Sequence, residues 1–214
     1  MPASGTTPRA PQLDPAALTE DDELLAGELD RYRARLTGAH LAGVGHGELA
    51  QVLADGVDLS STRFDPLDLS DVQLDRVDLA GARWESVTAR RFAVRDSRLL
   101  GWRLHCTFAE DLLVTGSRWD DGALYLGRAK GSVVFRDCTF AGTTIRGDCS
   151  GVVFDECDLA GVEFGVDAAR NCDLRTSRLA GARGLGRLKG ARITDEQAIG
   201  VAALLAIELG FRLD

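Results

Sequence analysis

Large apolar residues recur at every fifth position through the middle of the chain. From Leu59 to Leu99 the series has no polar interruption, and small or apolar residues stand two positions before each member. The two residues that follow are often turn formers, as in Ser70-Asp71. The members are Leu59, Phe64, Leu69, Leu74, Leu79, Trp84, Ala89, Val94 and Leu99. This pattern predicts short strands separated by bends.

A five-residue period fits neither regular secondary structure. Five helical residues advance about 500° around the axis, so successive large residues would lie about 140° apart. In a straight strand, an odd step of five sends the next large residue to the opposite face. The chain must therefore bend after each pentapeptide. If each bend is near a right angle, four pentapeptides close one turn of 20 residues, and the turns stack about 4.8 Å apart.

The repeat resembles the pentapeptide repeat family in the segments VDLSS, VQLDR, VDLAG, CTFAG, CDLAG and SRLAG. The resemblance covers roughly residues 34 to 190. It implies an all-β solenoid, a right-handed quadrilateral parallel β-helix in which the large residue and the small residue two positions earlier both point inward. The need for a coil comes from the repeat itself, whereas the handedness comes from the resemblance.

Four regions follow from these patterns. Residues 1–18, with four of the five prolines, are interpreted as a disordered tail. Residues 19–56 are interpreted as an N-terminal cap and an irregular first coil. Residues 57–192 form the predicted β-helix, and residues 193–214 a helix and tail that serve as cap or dimer interface.

The start of the coil has two interpretations. The spacing of Leu25, Leu29, Tyr32 and Leu36 after an acidic run favours a capping helix. Their neighbours also fit the repeat, because Ala34-Arg35-Leu36 and Ala39-His40-Leu41 both read as pentapeptide cores. On the second interpretation the coil begins at residue 34.

Two registers compete between residues 104 and 135. The original phase places Leu104, Ala109, Val114, Trp119, Leu124 and Ala129 at the centres, while Cys106-Thr107-Phe108 and Ala123-Leu124-Tyr125 fit shifted phases. Phe135, Phe140 and Ile145 then follow one residue out of phase, and the series from Phe154 to Leu179 returns to the first phase. Compensating one-residue bulges are predicted, either as plain drift or as marks of a site.

The register decides whether Phe108 is part of a surface. In the original phase Phe108 and Leu113 point outward near Leu100 and Leu126, and an exposed apolar cluster of this kind marks an interaction site. In the shifted phase Phe108 belongs to the core.

The cysteines are predicted to be structural. Cys138, Cys157 and Cys172 occupy the small inward position, and Cys138 and Cys157 should be stacked one turn apart. A free cysteine in this position behaves as a small buried hydrophobe. No spacing indicates a disulfide framework, a metal site, a cofactor or a catalytic constellation, so we expect a non-enzymatic protein without cofactors.

A C-terminal helix is predicted from about 195 to 209. Thr194 and Gln197 form a capping box, and Gly210 is a C-terminal stop signal. The apolar residues cover more of the circumference than one core-facing stripe requires. Because such helices mediate dimerisation in some pentapeptide repeat proteins, the resemblance implies a homodimer through Val201, Leu204, Leu205 and Leu209, the alternative being an intramolecular cap.

The net charge of −8 belongs to the two ends of the chain. Residues 57–192 hold 20 acidic and 20 basic residues and are neutral overall. Within them Arg63, Arg83 and Arg103 recur at the 20-residue spacing and form a predicted basic column. Its arginines are either neutralised by neighbours such as Asp65 and Glu85 or available to an anionic partner.

We therefore expect a protein-binding or scaffold module with an unidentified protein partner. The alternative comes from the resemblance, since some family members mimic DNA, bind type II topoisomerases and protect them from quinolones or natural poisons. Such a mimic needs negative potential along the rod, which a neutral rod does not offer. Direct nucleic-acid binding is not expected. No stretch approaches 18 apolar residues, so a bacterial cytoplasmic protein that does not span a membrane is expected.

Overall fold

A computed structural model describes residues 7–23, 25–37 and 43–212. Eleven strands and one α-helix are defined. The strands are β1 (Thr19–Asp21), β2 (Gly27–Tyr32), β3 (Ala34–Leu36), β4 (Val44–Asp55), β5 (Arg63–Asp75), β6 (Arg83–Arg95), β7 (Arg103–Thr115), β8 (Ala123–Arg136), β9 (Thr144–Asp148), β10 (Val153–Asp155) and β11 (Glu163–Ala168), and the helix is α1 (Asp195–Glu208). The strands form one parallel sheet that runs through the chain in the order β1-β3-β4-β5-β6-β7-β8-β9-β11, with β2 beside β4 and β10 beside β8.

Successive turns of the chain are 20 residues apart in the regular part. Leu69 pairs with Ala89, and Ala89 pairs with Ala109, always in parallel. Every backbone hydrogen bond of these strands therefore joins one turn to the next. The result is a parallel β-solenoid of about seven turns with a C-terminal helix, which confirms the coil predicted from the repeat.

The interior is lined by the central residues and the small residues two positions before them. Trp84 is 1% exposed, and its indole Nε1 donates to the Thr62 hydroxyl at 3.0 Å. Aromatic rings continue the stack, with the ring centroids of Trp102 and Trp119 4.4 Å apart. Each fully buried large side chain stabilises the fold by roughly 1.5–3 kcal/mol. Because every turn is thin, the core is a stack of such layers.

The central positions keep the original register through the disputed zone, although Cys106 takes the inward position that this register gives to Thr107. Leu104, Val114 and Leu124 are at most 2% exposed, and Ala129 packs against the core. Phe108 pairs with Thr88 at an outward position, so the shifted register that would have made it core is wrong.

One turn of the coil contains an extra residue, and a later turn is one residue shorter. Glu110 pairs with Lys130, but Leu112 pairs with Val133, so the insertion lies beside Gly131. The compensating shortening falls at Gly147, where the pairing with β11 shifts by one residue. The predicted out-of-phase block and its return are therefore confirmed.

Residues 27–36 form strands, so the capping helix favoured by their apolar spacing was wrong. Glu28 pairs with His46 of β4, and the backbone groups that a helix would use internally bond to the next turn instead. Ala34 and Leu36 are buried, which supports the interpretation that the coil includes this pentapeptide. The second candidate, Ala39-His40-Leu41, lies outside the described residues.

The chain before β1 contacts the solenoid. Arg9 forms ion pairs with Glu110 and Asp111, and the Gln12 N–H donates to Asp71. Residues 15–17 form a 3-10 turn that Asp14 caps by accepting from the Ala16 N–H. Residues 7–18 thus differ from the disordered tail predicted for residues 1–18, because charged groups far away in sequence bind them.

Helix α1 forms where its end signals predicted it. The Thr194 hydroxyl accepts from the Gln197 N–H at 3.1 Å, and the Gln197 side chain accepts from the Thr194 N–H at 2.8 Å, which is the predicted capping box. Gln197 also donates to the carbonyls of Leu174 and Ser177 at 2.7 and 2.6 Å. At the other end, the Glu208 carboxylate accepts from the Leu185 N–H at 3.2 Å. Both ends of α1 are therefore bonded to the last turn.

The shortened part of the coil requires a residue without a Cβ at position 147, which can be tested. Both Gly147 (φ +85°) and Gly151 (φ +73°) are left-handed, but a Cβ at 147 would lie 2.0 Å from the Leu126 carbonyl oxygen, whereas a Cβ at 151 meets nothing within 4 Å. We expect Gly151→Ala to lower the free energy of unfolding by about 1–2 kcal/mol. Gly147→Ala should cost about 1–3 kcal/mol more because of the added clash. Denaturant unfolding followed by tryptophan fluorescence measures both, and equal losses would contradict the assignment.

Candidate functional site

Arginines neutralise carboxylates of the adjacent turn at many positions on the exterior. The Arg98 Nη1 lies 2.7 Å from the Asp78 carboxylate, and the Arg136 Nε lies 2.9 Å from that of Asp155. Hydrogen bonding to Arg178 lowers the pKa of Asp158. The inter-turn pairs include Asp55–Arg76, Asp71–Arg91, Asp75–Arg95, Asp78–Arg98, Arg136–Asp155, Asp158–Arg178 and Glu163–Arg183. Stacking places opposite charges side by side along the rod instead of forming an unbroken acidic stripe.

The predicted basic column is formed. Arg63 pairs in register with Arg83, and Arg83 with Arg103, and all three side chains are exposed. Within residues 7–23, 25–37 and 43–212, no ion pair joins any of the three to a carboxylate. Glu85, one of the neighbours considered for neutralisation, is instead within 3.0 Å of His105 Nδ1. The basic column therefore combines three stacked cations without fixed counter-charges.

A groove with a volume of about 690 Å³ begins at the end of the basic column. Arg103 and Arg146 line it, together with Glu85, Asp121 and small residues such as Gly122. Tyr125 is 37% exposed, and its ring lies edge-on to His105 with centroids 4.4 Å apart. We refer to the surface made by the basic column and this groove as the basic face.

Sequence reasoning missed Tyr125 and Arg146 in this surface. Their column runs through Glu85, His105, Tyr125 and Arg146. The last step spans 21 residues instead of 20, because the extra residue beside Gly131 lies between them. A search for identical 20-residue spacing therefore stops one turn too early, although following the out-of-phase centre Ile145 would have found Arg146.

Phe108 and Leu113 point outward, as the original register requires, but neither is fully exposed. Phe108 is half-buried, and the Arg90 guanidinium carbon lies 5.4 Å from the centroid of its ring. Leu126, expected beside them, is 1% exposed and belongs to the core. The predicted exposed apolar cluster is therefore reduced to three partly covered side chains, those of Leu100, Phe108 and Leu113.

Helix α1 has apolar residues on two sides. Val201, Leu204 and Leu205 pack against the core cluster at the last turn. The opposite side is open, with Ile199 78% and Ile207 58% exposed, and the chain beyond it adds two further exposed apolar residues, Leu209 and Phe211. Of the four residues predicted for a dimer interface, three thus lie on the capping side, and only Leu209 is strongly exposed.

The five cysteines are free and buried. Burial raises the pKa of the Cys106 and Cys149 thiols to about 12, and contact with Cys138 together with burial raises that of Cys157. Such thiols carry almost no nucleophilic thiolate at neutral pH. Among the described residues, no three acidic, histidine or cysteine side chains group to hold a metal ion, and no helix is long and apolar enough to cross a membrane.

The sequence matches no protein-family model and no curated protein. Among solved structures, a trypsin-treated variant of QnrB1, a plasmid-mediated fluoroquinolone resistance protein, is 19% identical with a TM-score of 0.51, covering 92% of this chain and 100% of its own. HetL, a pentapeptide repeat protein involved in heterocyst differentiation regulation from the cyanobacterium Nostoc, is 20% identical with a TM-score of 0.41, covering 82% of this chain and 89% of its own. The five-residue repeat and the 20-residue register agree with this likeness, and the chain is a β-solenoid with the fold of the pentapeptide repeat proteins.

Proposed function

We propose that the chain is a non-enzymatic protein-interaction module that binds an acidic segment of a partner protein through its basic face. The observation that carries this proposal is the column of Arg63, Arg83 and Arg103, which forms no ion pair within the described residues, whereas many other exterior charges there are paired. Three arginines whose strands are about 4.8 Å apart carry like charges in one column, and a ligand that brings carboxylates reduces their repulsion. Arginine also binds carboxylates with two parallel hydrogen bonds, which adds specificity.

The groove supports binding more than catalysis. His105 and Glu85, which both line it, are bonded to each other at 3.0 Å. No serine, threonine or cysteine side chain in the described part of the chain is bonded to His105 as a nucleophile would be. Tyr125 supplies an exposed aromatic surface beside Arg146, a combination that is enriched where proteins bind one another.

We further propose a homodimer through the outer side of α1 and not through its capping side. Ile199 and Ile207 are two helical turns apart on that side, and Leu209 and Phe211 extend the apolar surface. A second copy would cover this surface by a two-fold contact in which each residue meets its own counterpart or a near neighbour. Val201, Leu204 and Leu205 would keep their contacts with the last turn.

Protection of a type II topoisomerase is the alternative function. QnrB1 is a fluoroquinolone resistance protein with a similar fold, and a DNA mimic of that kind would need negative potential along the rod. The inter-turn pairs of aspartate or glutamate with arginine weigh against such a potential. The interaction module therefore remains the proposed function.

The basic face is tested by reversing its charge. We expect Arg83→Glu/Arg103→Glu to reduce capture of a host protein at least about tenfold, because two charge-assisted contacts become repulsive. Quantitative affinity purification from the native host measures this. The control, Arg128→Glu/Arg170→Glu, changes the net charge equally at exposed arginines outside the basic face and should leave capture unchanged. Equal capture by all three proteins would contradict the proposal.

The alternative is tested by a gyrase supercoiling assay with and without a quinolone. At micromolar protein we expect neither inhibition nor protection, because the paired carboxylates do not reproduce the charge of DNA. Protection that persists in Arg83→Glu/Arg103→Glu would overturn this expectation and favour the topoisomerase function.

The dimer is tested with variants that change either the outer side or the capping side of α1. We expect Ile199→Glu/Ile207→Glu to convert a dimer into a monomer in sedimentation equilibrium, because two charges would be buried at the contact. Leu204→Ala removes a capping contact and should lower thermal stability while the dimer persists. If wild type is already a monomer at the highest concentration tested, the dimer proposal fails.

A further inference from the structure

The N-terminal segment, residues 7–13, is bound along the outside of the solenoid. The Arg9 Nε lies 2.6 Å from the Asp111 carboxylate, and its Nη2 lies 2.9 Å from that of Glu110. Three residues later, the Gln12 N–H donates to the Asp71 carboxylate at 2.7 Å. Asp71 and Asp111 are two turns apart in one column, so the segment runs along the axis of the rod.

The surface beside these anchors is apolar although it faces outward. Ala93, Leu113 and Val134 occupy the outward position before the centres Val94, Val114 and Phe135. An outward side chain on a solenoid is exposed unless something covers it. Ala93 is nevertheless 1% and Val134 3% exposed, and Leu113 is half-buried.

The N-terminal segment runs along the edge of this apolar column. Its anchors Asp71 and Asp111 lie two residues before the outward positions of their own turns, at the edge of the apolar column. Pro8, next to Arg9, is itself buried, so the segment inserts at least one apolar side chain. We call the apolar column and its acidic edge the strap groove.

Without the N-terminal segment, the acidic edge has one more carboxylate than it has cations. Arg91 donates to both carboxylate oxygens of Asp71 at 2.6 Å, and Lys130 lies 3.3 Å from Glu110. The next position after Asp111 in the same column is Gly131, which carries no charge. Within the described part of the chain, the Asp111 carboxylate, 4% exposed, forms an ion pair only with Arg9 and also accepts from the Ser132 N–H at 3.3 Å. A buried carboxylate without a cation is costly, so the groove selects a segment that brings one.

We propose that the strap groove is a binding site for an extended, arginine-containing and proline-flanked segment of a partner protein, and that residues 7–13 occupy it in cis until such a segment replaces them. The sequence Pro8-Arg9-Ala10-Pro11 shows which kind of ligand fits the strap groove. Its prolines favour an extended conformation that loses little entropy on binding, and its arginine neutralises the remaining carboxylate of the acidic edge. Arg9 is 62% exposed on its outer side, which leaves it accessible to replacement. This surface is separate from the basic face, and the proposal stands independently of that function.

The pH dependence of this contact has a defined sign. Burial raises the pKa of Asp111, but its bonds with Arg9 and with the Ser132 N–H outweigh burial and hold the pKa below its usual range. A carboxylate with a lowered pKa stabilises the bound form above its ordinary pKa and loses that contribution as the pH falls through the bound-state value. The contact of the segment with Asp111 is therefore stronger at neutral pH than in acid.

The proposal is tested with the full chain and a fluorescent synthetic peptide of residues 7–14. In wild type the tethered segment competes, because its effective concentration is in the millimolar range. We expect Arg9→Ala in the protein to increase the affinity for the unmodified peptide by about tenfold or more, since the cis competitor is weakened. Fluorescence anisotropy measures the affinity.

Two further variants make the result specific. Adding Asp111→Asn to Arg9→Ala should abolish the gained affinity, because asparagine keeps the left-handed corner but removes the charge. Asp96→Asn, at another left-handed corner, should leave the gain intact. Unchanged tryptophan fluorescence confirms folding in each case. If Arg9→Ala and wild type bind the peptide equally, or if Asp111→Asn has no effect, residues 7–13 form only a fixed structural contact and the proposal is overturned.

Discussion

The parallel hydrogen bonding of each turn to the turn 20 residues away is the constraint on which the rest of this molecule depends. It stacks every side chain on its counterparts in neighbouring turns, about 4.8 Å away. Apolar residues such as Trp84 and Leu104 consequently form continuous inward columns, and no residue of the core stands alone. On the exterior, the same stacking places the charge at each position beside the charge at the equivalent position of the next turn.

On the exterior, opposite charges on adjacent turns often neutralise one another. Asp78 faces Arg98, and Asp158 faces Arg178, so the local net charge stays near zero without any long-range arrangement. Like charges also stand in register in other columns, as with Asp58 and Asp78 or Arg98 and Arg118. Two further columns carry an unmatched charge. The basic column repeats one sign for three turns, and the column of Asp71, Arg91 and Asp111 ends on a carboxylate that the rod does not neutralise. At the basic column we propose that an acidic partner supplies the opposite charge, whereas at Asp111 it is supplied by Arg9 of residues 7–13.

The ends of the solenoid need other contacts to cover them, since the first and last turns have only one neighbouring turn. At the C-terminal end, α1 uses Gln197 and Glu208 to bond to the last turn and packs Val201, Leu204 and Leu205 against it. A helix that covers a core needs only one apolar side. The apolar residues on the other side, including Ile199 and Ile207, therefore require a second explanation, and we propose contact with a second copy of the chain.

The sequence alone determined the coil, its 20-residue turn and the ends of α1, because each rests on spacing within a few residues: the five-residue period and the capping box of Thr194 and Gln197. It left the register between 104 and 135 open, since several short apolar patterns fit there and only pairing with the neighbouring turns distinguishes them. It predicted the basic column but not Arg146, which an inserted residue moves out of the 20-residue series. The strand pairing of residues 27–36 and the contact of Arg9 with Asp111 were decided by the tertiary structure, because their partners lie 18 and 102 residues away and leave no local pattern.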